Sequence, residues 1–136
     1  MAWGPGSKKG ALVVGEHRPK LVHFLQGAAW DALYGTVIGK YVIHYANGEK
    51  REAKIVFGKN VRDWWFPPTQ PQTTMEAAVA WQGYNSASRD VGMAVRIYQY
   101  RWTNPLPSEK IARIDFVSAL DKPAPFLLAV TTGPAD

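Results

Sequence analysis

The chain contains no cysteine, which excludes a disulfide scaffold, a thiolate metal site and cysteine nucleophilic chemistry. Histidine is nearly as scarce: His17, His23 and His44 are the only three, and none stands in His-x-His or His-Glu-x-x-His spacing. No stretch approaches the roughly eighteen apolar residues of a transmembrane helix, and the N-terminus has no apolar run of a secretory signal. Gly-rich phosphate loops and a Gly-x-Ser-x-Gly elbow around Ser86 or Ser88 are also missing. Charge of one sign is not concentrated in the body of the chain. Of the net charge of +5, the segment 1–20 supplies most, with Lys8, Lys9, Arg18 and Lys20 against Glu16. The rest mixes signs in pairs such as Glu49/Lys50, Arg62/Asp63 and Arg89/Asp90, so no nucleic-acid footprint is expected.

What the chain does have is aromatic side chains: six Trp, six Tyr and five Phe in 136 residues, a length that fits one domain with one core. The pair Trp64-Trp65, within Arg62-Asp63-Trp64-Trp65-Phe66-Pro67-Pro68, stands out. Neighbouring side chains of an extended segment point to opposite faces, so one indole is expected in the core and the other toward solvent or a partner. The prolines that follow bar a helix there.

Turn signals cut the chain into short strands. Residues 1–10 read as a fraying lead-in, 11–132 as a single β-sandwich domain and 133–136 as a tail. Strands are predicted at Ala11 to Val14, Leu21 to Leu25, Thr36 to Tyr45, Ala94 to Trp102, Lys110 to Ser118 and Phe126 to Thr131. Asn47-Gly48 predicts a type I′ turn, making Thr36 to Phe57 a hairpin. Gly58 to Gln72, with Pro67, Pro68 and Pro71, reads as a long loop, and such loops are often functional. Met75 to Trp81 reads as a strand feeding Gly83, with a helical turn as the alternative its alanines leave open. About eight strands and no long helical pattern predict an all-β antiparallel sandwich.

Catalytic constellations are thin. His23 and His44 lie mid-strand, where a hydrogen-bonded histidine packed within the sheet is the expected role. Asp63, Asp90 and Asp115 are far apart, and no carboxylate pair is placed by local spacing to face across a substrate. Gly58 to Asp63, or Asp115, could supply oxygens to a structural calcium, although no Asp-rich loop is present. The expectation is a protein that is not an enzyme and needs no cofactor beyond such an ion.

Several segments together carry a resemblance: Leu21-Val22-His23-Phe24-Leu25-Gln26-Gly27-Ala28-Ala29-Trp30, Gly39 to Gly48, Asp63-Trp64-Trp65, Ala80-Trp81-Gln82-Gly83-Tyr84-Asn85, Tyr98 to Pro105 and Ile114-Asp115-Phe116-Val117-Ser118. In this order they resemble a bacterial non-catalytic β-sandwich module of jelly-roll, galactose-binding-like topology. The resemblance spans about residues 21–131. It implies carbohydrate binding, attachment to a larger exported multidomain protein, and an extracellular or periplasmic location. The pattern has further strands before the Leu-x-His-Phe-Leu segment, where this chain has a short, basic, Gly-rich one.

An indole stacks on the axial C–H face of a sugar, whose hydroxyls need flanking donors and acceptors. Arg62 and Asp63 flank the Trp pair. Trp30, after Gly27-Ala28-Ala29 in a presumed loop, and Tyr84-Asn85, after Gly83 in another, are expected to gather with the Trp64 loop at one end of the sandwich. Trp30, Trp64, Trp65, Tyr84, Asn85 and Arg89 would then line one cleft for a polysaccharide, of β-glucan or xylan class. Trp81 and Trp102 are expected in the core. The rows Tyr98-Tyr100-Trp102 and Tyr41-Ile43-Tyr45 are either an open aromatic platform or, the reading preferred, inward faces, with Arg96 arguing for partial exposure of the first. The competing function is a cell-surface protein-interaction or assembly module without sugar binding.

Overall fold

The structure, a computed structural model, describes residues 9–13, 18–70, 74, 76–119 and 124–133, with only the backbone of 9–13. The lead-in at 1–8, Val14, His17, Pro71, Met75 and the end of the tail lie outside the described residues.

Among the described residues, nine strands and one short helix follow in chain order: β1 (Lys9–Val13), β2 (Leu21–Ala29), β3 (Val37–Tyr45), β4 (Lys50–Val56), β5 (Trp65–Phe66), β6 (Ala77–Gly83), α1 (Ser86–Asp90), β7 (Ala94–Thr103), β8 (Ile111–Ser118) and β9 (Ala124–Gly133). They form two antiparallel sheets, one ordered β1-β8-β3-β4 and the other built from β9, β2, β7, β5 and β6. This is the all-β sandwich expected from the strand pattern. The strand beyond the expected eight is the two-residue β5, inside the segment read as a loop.

Period-two alternation decides what is inside. Val22, Phe24, Tyr98 and Tyr100 from one sheet meet Tyr41, Ile43, Ile114 and Phe116 from the other, all buried. Phe24 and Tyr41 stack across the sandwich with ring centroids 3.8 Å apart and planes 13° off parallel. Both tyrosine rows are therefore inward faces, and no open platform exists on them. Arg96 does not mark exposure either, since it is 1% exposed. Trp102 packs against the core as expected, whereas Trp81 does not: it lies on β6, opposite Ile97, with 52% of its surface open. A register shift in β6 sets Val79 opposite the inward Tyr98 but Trp81 opposite Ile97, so Trp81 lies on the sheet face away from the core that Val79 packs against.

The polar groups around the Tyr41 hydroxyl are paired, as an interior of low dielectric requires. The Tyr41 hydroxyl donates to Gln26 Oε1, and Gln26 Nε2 donates to the Asn60 carbonyl at 3.0 Å. Asn60 accepts from Val56 N at 2.9 Å and donates to the Lys54 carbonyl at 2.8 Å. This chain of bonds ties the segment after β4 to both sheets.

The β3–β4 hairpin forms where Asn47-Gly48 places it, but its turn is not type I′. Gly48 has φ +93 while Asn47 keeps negative φ, and Tyr45 N bonds Glu49 O at 2.9 Å. The loop thus has three residues, Ala46 to Gly48, the form that ends in one left-handed glycine. The Asn47 side chain accepts from Glu49 N at 2.9 Å, which favours this local geometry.

Candidate functional site

β2 runs four residues further than its sequence pattern suggested, through Gly27, Ala28 and Ala29, which are strand and not loop. Gly27 is what permits this: a Cβ there would collide with the Phe126 ring of β9. β2 stops pairing with β7 at Gln26 opposite Tyr98, and the space beyond is filled by residues 63–66. Trp64 N donates to the Ala28 carbonyl at 2.8 Å, and Arg96 N donates to the Trp64 carbonyl at 2.8 Å. Asp63 bridges Ala28 in parallel, and Trp65 and Phe66 pair with Val95 and Ala94. The segment read as loop is in this way stitched between two strands at one corner of the sandwich.

That stitching sets the fate of the aromatic triplet. Phe66 turns inward, buried, with the Arg96 guanidinium 4.4 Å from its ring centroid. A bend at Trp64 breaks strict alternation, so the expectation of one core and one solvent indole fails: both are half-buried. Their ring centroids lie 6.4 Å apart with planes at 57°. Trp64 and Phe126 meet edge to face, with centroids 5.5 Å apart and planes at 82°.

Trp30 completes the corner. It follows β2 directly, is 62% exposed, and is the one non-glycine residue among those described with positive φ, +69. A bulky residue in the left-handed region is costly, and such outliers gather at functional sites. Ala29, Trp30, Asp63, Trp64 and Trp65 line a cleft of about 330 Å³. The one ionisable group in that lining is Asp63, whose Oδ1 accepts from Trp65 N at 3.1 Å. Burial pushes the Asp63 carboxyl above the usual aspartate range, and Asp31 adds to the push, against the Trp65 N–H and Arg96.

Arg96 supports the corner from within. Its Nε donates to the Asp63 carbonyl at 3.0 Å, and its guanidinium carbon lies 4.4 Å from the Phe66 ring centroid and 5.4 Å from that of Tyr98. Burial lowers the proton affinity of the guanidinium, with the nearby Arg62 acting in the same direction.

The sequence-derived site residues therefore separate. Trp30, Asp63, Trp64 and Trp65 converge on the cleft, while Tyr84, Asn85, Arg89 and Arg62 do not line it. Asn85 caps α1, accepting from Ser88 N at 2.7 Å while Ser88 Oγ accepts from Asn85 N at 3.0 Å. The Arg89 guanidinium lies 5.4 Å over the Tyr84 ring, and Tyr84 borders a smaller hollow of about 130 Å³ with Phe66, Pro68 and Gln82. Arg62 lies 5.4 Å over Tyr34. Sequence reading missed Phe126, the brace behind Trp64, because no local signal joins positions so far apart in the chain.

The two described histidines are bonded within their sheets. His23 Nδ1 lies 2.8 Å from Gln99 Nε2. His44 Nε2 lies 2.8 Å from Asp115 Oδ2, and Arg113 Nε sits 3.0 Å from Asp115 Oδ1. Among the described residues, no group of three or more His, Cys, Asp or Glu side chains could hold a metal ion, and no helix is long and apolar enough to cross a membrane. Comparison with family models, with curated proteins and with solved structures finds no match for this chain.

Proposed function

We propose that this domain is a non-catalytic carbohydrate-binding module whose glycan lies in the Trp30/Trp64/Trp65 cleft. The observation that carries the reading is the convergence of three indoles and one carboxylate on a cleft of about 330 Å³. Indole faces stack on the C–H faces of sugar rings, and Asp63 supplies an acceptor for their hydroxyls. Glycoside hydrolysis calls for a pair of facing carboxylates, whereas the cleft lining has one, which favours binding without chemistry. A shallow open site of this kind binds at roughly micromolar to millimolar Kd. A plant or bacterial polysaccharide of the β-glucan or xylan class is the proposed ligand, and a larger exported protein the proposed setting. The test is affinity electrophoresis and pull-down of the purified chain against such polysaccharides, with and without calcium. Retardation by one class supports the proposal, and no retardation by any rejects it.

A second reading, a protein-interaction or assembly module, has its own support in β6. This outer strand, Ala77–Gly83, carries no charged residue and no proline, and it presents Trp81 to solvent. The outer strand β4 of the other sheet, by contrast, holds Lys50, Arg51, Glu52 and Lys54. Uncharged, apolar sheet edges are prone to pair with another strand. Light scattering over a concentration series separates the two: self-association lost on substitution of the exposed Ala80→Lys would favour this reading.

A further inference from the structure

We infer that the cleft takes a neutral glycan as a single separated chain, in preference to the flat face of a crystalline polysaccharide or an acidic chain. The inference rests on the glycan-binding reading above and narrows it to a class and a physical form.

Geometry carries the first half. Lying on a flat crystalline face requires aromatic rings that are level with one another and stand clear of the surface. Trp64 and Trp65 meet at 57°, and both are half-buried. Neither can swing level cheaply. Trp64 is held edge-on by Phe126 and its backbone is bonded on both sides, to Ala28 and to Arg96. Trp65 is paired to Val95 and bonded to Asp63. Two planes fixed at such a tilt form a trough, which suits a separated chain whose successive sugar rings are rotated about its axis. Trp30, the most open of the three indoles, forms a further wall.

Charge carries the second half. Oδ1 of Asp63 is engaged by Trp65 N, and the acceptor capacity that remains suits hydroxyl donors. A uronate or sulfate placed there would set an anion beside a carboxylate already half removed from water, with Asp31 close enough to disfavour its ionised form further. Among the described residues, no Lys or Arg lines the cleft to offset this. Between a neutral and an acidic chain, the charge of the cleft itself leaves the neutral one.

The test titrates intrinsic tryptophan fluorescence at about 0.15 M salt, where long-range attraction to the basic chain is screened. The probes are cello- and xylo-oligosaccharides and an oligogalacturonate of equal length, with adsorption to microcrystalline cellulose measured alongside. At least one neutral oligosaccharide should bind, with the oligogalacturonate and the crystalline surface each at least ~10-fold weaker. In Asp63→Asn the gap between neutral and acidic oligosaccharides should narrow to within about 3-fold. Crystalline adsorption as tight as soluble binding, or equal affinity for the oligogalacturonate in the unaltered protein, overturns the inference and leaves the glycan-binding reading standing. Absence of binding to every probe sinks both.

Discussion

The Trp64 indole abuts the Phe126 ring edge-on, 5.5 Å between centroids and 82° between planes. The contact joins a segment after β4 to the last strand of the domain, and it depends on a third residue, Gly27, whose missing Cβ leaves room for Phe126. Indole orientation in the cleft is thus set by residues outside its lining.

Gly27→Ala should be destabilising, because a methyl group at this position overlaps the Phe126 ring and the strands on either side leave little room to shift. A loss of about 1–3 kcal/mol is expected in urea denaturation, in the range of overpacked cores. The cleft should suffer too, with weaker glycan retention than the stability loss alone produces. An unchanged midpoint would show that Phe126 relaxes freely.

The three indoles should divide by role. Trp30→Ala removes an exposed ring, so folding stability should stay within about 0.5 kcal/mol while glycan binding weakens roughly 10-fold. Trp64→Ala strips half-buried area and the Phe126 contact, and should cost about 1–3 kcal/mol of stability along with binding. Parallel denaturation and binding titrations check both. Binding retained in all three single variants, Trp65→Ala included, would place the glycan elsewhere.

Asp63 predicts a pH dependence of stability. Its folded pKa is raised by burial, so between the unfolded aspartate value and that higher one the native state holds a proton the unfolded state has lost. Stability therefore falls as pH rises through this window, and the penalty stays constant above it. Below the unfolded value the group contributes nothing. Asp63→Asn removes the titration, so its stability relative to the unaltered protein should rise from about pH 4 to pH 7. Urea midpoints across that range test this, and a relative fall would contradict the raised pKa.

Tyr41→Phe isolates the interior polar chain. Loss of the hydroxyl leaves Gln26 Oε1 buried without its donor, and the desolvation cost of such an acceptor is about 1–3 kcal/mol. The stack on Phe24 survives the change, so the measured loss reports the hydrogen bond. Phe24→Leu is the complementary probe, removing the stack and leaving the Tyr41 hydroxyl bond in place.

The architecture was legible along the chain because strand periodicity is local. Alternation in Ala94–Thr103 and Ile111–Ser118, the Asn47-Gly48 turn and the breakers around Pro67 each act over a few residues, and backbone sterics leave them few alternatives. The same locality explains the misreadings. Gly27-Ala28-Ala29 has a loop's composition and becomes strand because β9 pairs with it and Phe126 fills the glycine's space. Trp81 has a core residue's chemistry and stays open because the register shift after Val79 turns it to the outer face of its sheet. Tyr84, Asn85 and Arg89 carry a binding residue's chemistry, yet Asn85 is committed to capping α1 and Arg89 to the Tyr84 ring.

The sequence by itself determined that the chain is an all-β sandwich, that its tyrosine rows alternate in register, and that Asp63-Trp64-Trp65 interrupts the strand pattern. Only the tertiary structure decided which indoles meet. Bringing Trp30, at the end of β2, beside Trp64 and Trp65 requires β2 and β7 to part and admit residues 63–66 between them. That juxtaposition comes from long-range strand pairing and the space left by one glycine, quantities that no stretch of neighbouring residues encodes.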